Sequence, residues 1–92
     1  MREWTAGLIA GKLGLPLRGN ANRRIETAAP LDLAGQEELS FIGSEKLFEA
    51  GRASQAGCLI APPHFDAMPE QTVIASPQPR AYAYNSLASW WA

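Results

Sequence analysis

Two short apolar runs constrain the fold of this chain more than any other feature. Gly57-Cys58-Leu59-Ile60-Ala61 closes against Pro62-Pro63, and Thr72-Val73-Ile74-Ala75 closes shortly before Pro77. Such runs are too short for helices and lack polar alternation, which is the form of strands buried on both faces. Both are expected near the centre of one sheet, so the remaining residues have to supply the layers that cover it.

Helical and strand periodicities alternate along the rest of the chain. Trp4, Leu8, Ile9 and Leu13 follow helical spacing over residues 4–15, with Gly14 and Pro16 as a stop. Residues 17–22 read as a turn-rich connection. Residues 24–28 alternate as a half-buried strand that Pro30 ends, and residues 31–36 read as loop or a helical turn. Residues 38–42 form a second strand with Leu39 and Phe41 apolar, broken by Gly43. Ser44 is placed as the N-cap of a helix through Glu45, Leu47, Phe48 and Ala50, with Gly51 as its stop. Past Pro77 and Pro79, Tyr84, Leu87, Ala88 and Trp91 recur as a last helical stripe. The expected order is α-β-β-α-β-β-α: an α/β (α+β) domain with a single sheet of about four to five strands flanked by helices.

Composition then removes several function classes. Ninety-two residues support one domain, 1–92, with one core and no room for a second catalytic unit. A net charge of -1, from eight basic and nine acidic residues spread along the chain, offers no footprint for nucleic acid. Cys58 is the only cysteine. It can form no intramolecular disulfide, its apolar neighbours make it a buried, inert thiol, and a reducing compartment suits it. The N-terminal residues show neither the apolar core of a signal peptide nor a spanning stretch, so a soluble, cytoplasmic chain is expected. His64, the only histidine, follows Pro62-Pro63 without a cysteine or histidine at ligand spacing. It reads as a surface loop residue, with no metal and no cofactor expected. No nucleophile-base-orienter set or carboxylate pair stands out, so no catalytic residue is expected.

Taken in order, Ala29-Pro30-Leu31, Ala34-Gly35, Leu39-Ser40-Phe41, Lys46, Ala56-Gly57-Cys58-Leu59-Ile60-Ala61-Pro62 and Pro79-Arg80-Ala81-Tyr82-Ala83 resemble the N-terminal domain of the UDP-3-O-acylglucosamine N-acyltransferases of lipid A biosynthesis. The resemblance implies a MurF-like, uridyl-binding domain that precedes a long left-handed β-helix of hexapeptide repeats. In that family the β-helix forms the trimer, holds the catalytic histidine and is the route to acyl carrier protein. These 92 residues hold no such repeat, so the resemblance implies recognition of a UDP-glucosamine-type ligand by a domain that is not catalytic by itself.

Holding a uracil ring requires a flat apolar face and polar groups aimed at its edge, and residues 41–47, where a strand turns into a helix, can supply both. By resemblance, Phe41 matches the family's first stacking aromatic, Ser44 a position usually held by asparagine, and Leu47 one usually held by tyrosine. Lys46 matches a lysine frequent in the family motif and is a candidate for contact with a ligand phosphate. Leucine lacks a π-face and serine is shorter than asparagine, so the clamp is expected to be weakened by about 1 kcal/mol, with Phe48 as a candidate substitute. Read without the resemblance, Phe41 is a core strand residue, Ser44 a helix cap and Lys46 a solvated surface group. Trp90-Trp91 suggests an interface. The alternative function is accordingly a degenerate protein-interaction or scaffold module that has lost nucleotide binding.

Overall fold

The computed structural model describes residues 4–77; the expected closing helix and Trp90-Trp91 lie outside the described residues. The first helix, α1, spans Ala6–Leu13, two residues later than its spacing predicts. Trp4–Thr5 instead forms a short strand, β1, antiparallel to Arg24–Ile25, which is β3. Thr5 caps the helix, its Oγ1 accepting the Leu8 N–H at 3.2 Å. Gly14 ends it in the left-handed region at φ 68°, and its N–H returns to the carbonyls of Ala10 and Gly11. Ala6, Ile9 and Ala10 are the buried face, whereas Leu8, expected in the apolar stripe, is 55% exposed.

The main sheet contains β2 (Leu17–Arg18), β4 (Thr27–Ala28), β5 (Glu38–Phe41), β6 (Cys58–Ala61) and β7 (Val73–Ala75). Their spatial order is β2-β7-β6-β5-β4, parallel throughout except for β2 against β7. The two apolar runs thus lie inside the sheet, as expected, and every residue of β6 is buried. The mixed α/β class holds, but among the described residues there are two sheets, of two and five strands. The expected strand over residues 24–28 divides at Glu26, whose N–H bonds the Glu37 carbonyl at 2.7 Å, so that β3 serves the small sheet and β4 the edge of the large one. Residues 17 and 18, read as connection, form β2 because the open edge of β7 recruits them. A strand of two residues carries no alternation by which to find it.

The second helical segment also differs. Ser44 is extended (φ -156°, ψ 162°) and its side chain caps nothing. A 3-10 turn over Glu45–Leu47 follows, in which the Leu47 N–H bonds the Ser44 carbonyl at 3.1 Å, and the α-helix proper, α2, is Phe48–Ala53. Gly51 is a buried residue within α2 and not its stop. A Cβ there would run into Ile42 Cδ1 and stand 3.2 Å from Phe65 Cε1, so glycine is what lets the helix approach the sheet.

The sheet separates two apolar layers, and β6 alternates between them. Cys58 and Ile60 pack with Ala6, Ile9, Leu39 and Ile74, while Leu59 and Ala61 pack with Ile42, Phe65 and Val73. At about 25 cal/mol per Å² of apolar area, each fully buried leucine or isoleucine contributes about 2 kcal/mol. The short strands are held by this two-sided burial.

Candidate functional site

Edge strand β4, two residues long, stops at Ala28, while its neighbour β5 runs on to Phe41. The Ala29 N–H still bonds the Leu39 carbonyl at 2.9 Å, and then Pro30 turns the chain, its carbonyl accepting the N–H groups of Leu33 and Ala34. This early stop leaves a groove of about 670 Å³ at the carboxyl ends of two parallel strands, the end at which open α/β sheets take their ligands. Ala28, Ala29, Pro30 and Leu31 form one wall, Leu39, Ser40 and Phe41 the floor, and Gly43, Ser44 and Leu47 the other wall.

Three of the four expected site residues, Phe41, Ser44 and Leu47, therefore line one groove. Lys46, exposed on the same turn, is not part of the lining. Phe41 is half-buried and packs against the α1-side layer. Leu47 is 41% exposed at the rim. Phe48 does not take the place of a second aromatic wall: it packs edge-on to Phe65 at 5.1 Å between centroids, 72° between planes, and against the His64 ring at 5.3 Å. The sequence reading missed Ser40 and the wall at Pro30 and Leu31. Strand alternation marks Ser40 as polar and outward, and only the layer packed over both faces of β5 reveals it as buried.

Among the lining residues only Ser40 and Ser44 carry polar side chains. His64, read as a surface loop residue, is mostly exposed and pairs with Glu45, also mostly exposed, at 2.9 Å (Nε2 to Oε1). Among the described residues no group of three or more His, Cys, Asp or Glu side chains is placed to hold a metal ion, and no helix is long and apolar enough to cross a membrane. Cys58 is wholly buried. Desolvation pushes its thiol up to about 12, against a smaller lowering by a backbone hydrogen bond at Leu59, which keeps it neutral and inert. A second, polar cleft of about 310 Å³ near the amino ends of the strands includes Arg23, Arg52 and Gln71. There the Gln71 amide is already committed to the Gly51 carbonyl at 2.7 Å.

Fold and groove together define a small α/β domain with a cleft of small-ligand size, within the range of about 300–1,000 Å³ usual for such sites. Residues 22–88 match the family described as UDP-3-O-(3-hydroxymyristoyl) glucosamine N-acyltransferase, LpxD. The chain belongs to that family. It is similar to the UDP-3-O-acylglucosamine N-acyltransferase of Parvibaculum lavamentivorans, 42% identical over 82 residues that make up 84% of this chain and 23% of that protein. The enzymes of the same name from Albidiferax ferrireducens and Delftia acidovorans are each 34% identical, over 91% and 92% of this chain and 26% of theirs. The chain spans about a quarter of the length of the curated relatives it matches, and the match falls in their N-terminal part.

Proposed function

We propose that the groove at the ends of β4 and β5 receives the uracil ring of a UDP-glucosamine-type ligand. On this reading residues 1–92 form one substrate-recognition domain of a cytoplasmic UDP-3-O-acylglucosamine N-acyltransferase. The observation that carries it is the convergence of Phe41, Ser44 and Leu47 on one apolar cleft. Phe41 supplies the stacking face, Leu47 covers the ring by dispersion from the rim, and Ser44 offers a polar contact. The names of the relatives specify a UDP-linked sugar.

The same lining supports recognition without catalysis. The Ser40 and Ser44 hydroxyls have no histidine or carboxylate among the lining residues to activate them. Acyl transfer, trimer formation and contact with acyl carrier protein would belong to the β-helical part of the family's proteins. Lys46 stands outside the base pocket, and its reach toward a diphosphate depends on the flexible side chain swinging over the turn. With one aromatic wall in place of two, affinity is weak, near a Kd of about 1 mM, or about -4 kcal/mol.

Titration of the isotope-labelled chain with UMP tests this. Saturable amide shifts confined to residues 28–31 and 39–47 are expected, and Phe41→Ala should weaken them about tenfold, since stacking of a base on an aromatic ring is worth about 1–3 kcal/mol. Absence of saturable shifts in that segment up to about 10 mM UMP, ten times the expected Kd, rejects the reading.

A further inference from the structure

The groove wall that faces Ser44 and Leu47 leaves the sheet once the Ala29 N–H has bonded Leu39, and the Pro30 carbonyl is taken up within its own turn, by Leu33 and Ala34. Among the described residues, one hydrogen bond ties Pro30 and Leu31 to another element: the Ser54 hydroxyl donates to the Leu31 carbonyl at 3.0 Å, across 23 residues of chain. Ser54 stands at the carboxyl end of α2, its own N–H bonded to the Gly51 carbonyl at 3.2 Å. Its Oγ also accepts the Ala56 N–H at 3.1 Å, which leaves the hydroxyl proton for Leu31. Pro30 and Leu31 line the groove, and Ser54 does not.

We propose that Ser54 is a positioning residue for the ligand groove, holding the Pro30–Leu31 wall at a fixed place across from Leu47 so that a ring seated against Phe41 meets a preformed cleft. The proposal rests on the groove being the uracil site. The Leu31 side chain is anchored as well, packed against the layer that contains Ile42, Leu59 and Phe65, but hydrophobic burial has no direction and does not fix the main chain. A hydrogen bond weakens steeply as its angle departs from linear, so the Ser54 bond sets where the Leu31 carbonyl lies and the wall with it. The donor is itself held on both sides. Ser54 ends α2, and Ala56 leads directly into Gly57, whose N–H is bonded to the carbonyls of Gly35 and Glu38. A wall that the ligand had to order on arrival would lower its affinity, and one held beforehand does not.

The test is UMP titration of the unaltered chain, Ser54→Ala, Ser54→Cys and Ser54→Thr, at a temperature where thermal unfolding shows each to be folded, with the Leu31 carbonyl carbon shift recorded before UMP is added. Ser54→Ala should bind UMP about three- to tenfold more weakly, the equivalent of one hydrogen bond, and its Leu31 carbonyl shift should move. Ser54→Cys, a weaker donor, should fall between, and Ser54→Thr, which keeps the hydroxyl, should bind within about twofold of the unaltered chain. Ser54→Ala also deprives the Ala56 N–H of its acceptor, so a lower Tm is expected from a structural role alone, whereas recovery of affinity and of the carbonyl shift by threonine is not. Unchanged UMP affinity in Ser54→Ala, or equal weakening in Ser54→Thr, overturns the proposal and leaves the uracil reading standing. If Ser54→Ala does not fold, equal affinities in Ser54→Cys and Ser54→Thr overturn it. Failure of the unaltered chain to bind removes both.

Discussion

Gly57 lies so close to the main chain of Gln36 that any Cβ on it would overlap the Gln36 carbonyl oxygen. The Gly57 N–H is shared between the carbonyls of Gly35 and Glu38, each at 2.9 Å. This contact joins the turn entering β5 to the residue before β6, and so sets the two central parallel strands in register. Gly57→Ala must displace backbone and not a flexible side-chain end. A loss of about 2–3 kcal/mol is expected from overpacking, read as a lower urea midpoint with unchanged slope. A midpoint equal to that of the unaltered chain would show that the turn yields freely.

Leu47→Tyr should tighten UMP binding. Leu47 lines the groove and is 41% exposed, so a larger ring can be added at the rim without entering the core. A second stacking face is worth about 1 kcal/mol, or roughly fivefold in Kd. Unchanged affinity in the titration would place the ring elsewhere than between residues 41 and 47.

Cys58 should resist thiol reagents at pH 8 until the chain unfolds, since it is wholly buried and its thiol stays protonated to about 12. The folded value lies above the ordinary value of 9.0, so between them the folded state holds a proton that the unfolded state has released. Stability from this group is therefore complete below pH 9 and is lost as pH rises from 9 toward 12. Urea midpoints across that range, compared with those of Cys58→Ala, would isolate the effect, and parallel curves would contradict it.

The His64–Glu45 pair should matter little to stability. Its side chains are 60% and 76% exposed, and ion pairs in that setting contribute less than about 1 kcal/mol. His64→Gln is expected to leave UMP affinity unchanged, because His64 lies outside the groove lining. A large drop in affinity on this substitution would require a binding surface extending beyond the groove.

Much of the fold was legible where burial acts on a continuous segment. The apolar runs at residues 57–61 and 72–75 became β6 and β7, Leu39 fell in a strand, and helical spacing located α1 to within two residues. Ser44 does stand at the N-cap position, as read, but the turn it opens is 3-10 before the α-helix begins at Phe48, and its side chain makes no cap bond. Gly51 was read as a stop because glycine often ends helices, whereas here the contact with Ile42 and Phe65 requires it.

Local chemistry along the chain was enough to set the α/β class, and the resemblance of its ordered motifs pointed to the family and to the stretch of residues 41–47 in which site residues were sought. Only the tertiary structure decided that β4 ends early enough to open a groove, that Leu47 and not Phe48 reaches it, and that Ser40 is buried on its floor. The reason is physical: periodicity reports which face of a segment avoids water, but a cleft is the space between segments distant in sequence. Its shape depends on where each strand stops relative to its neighbour.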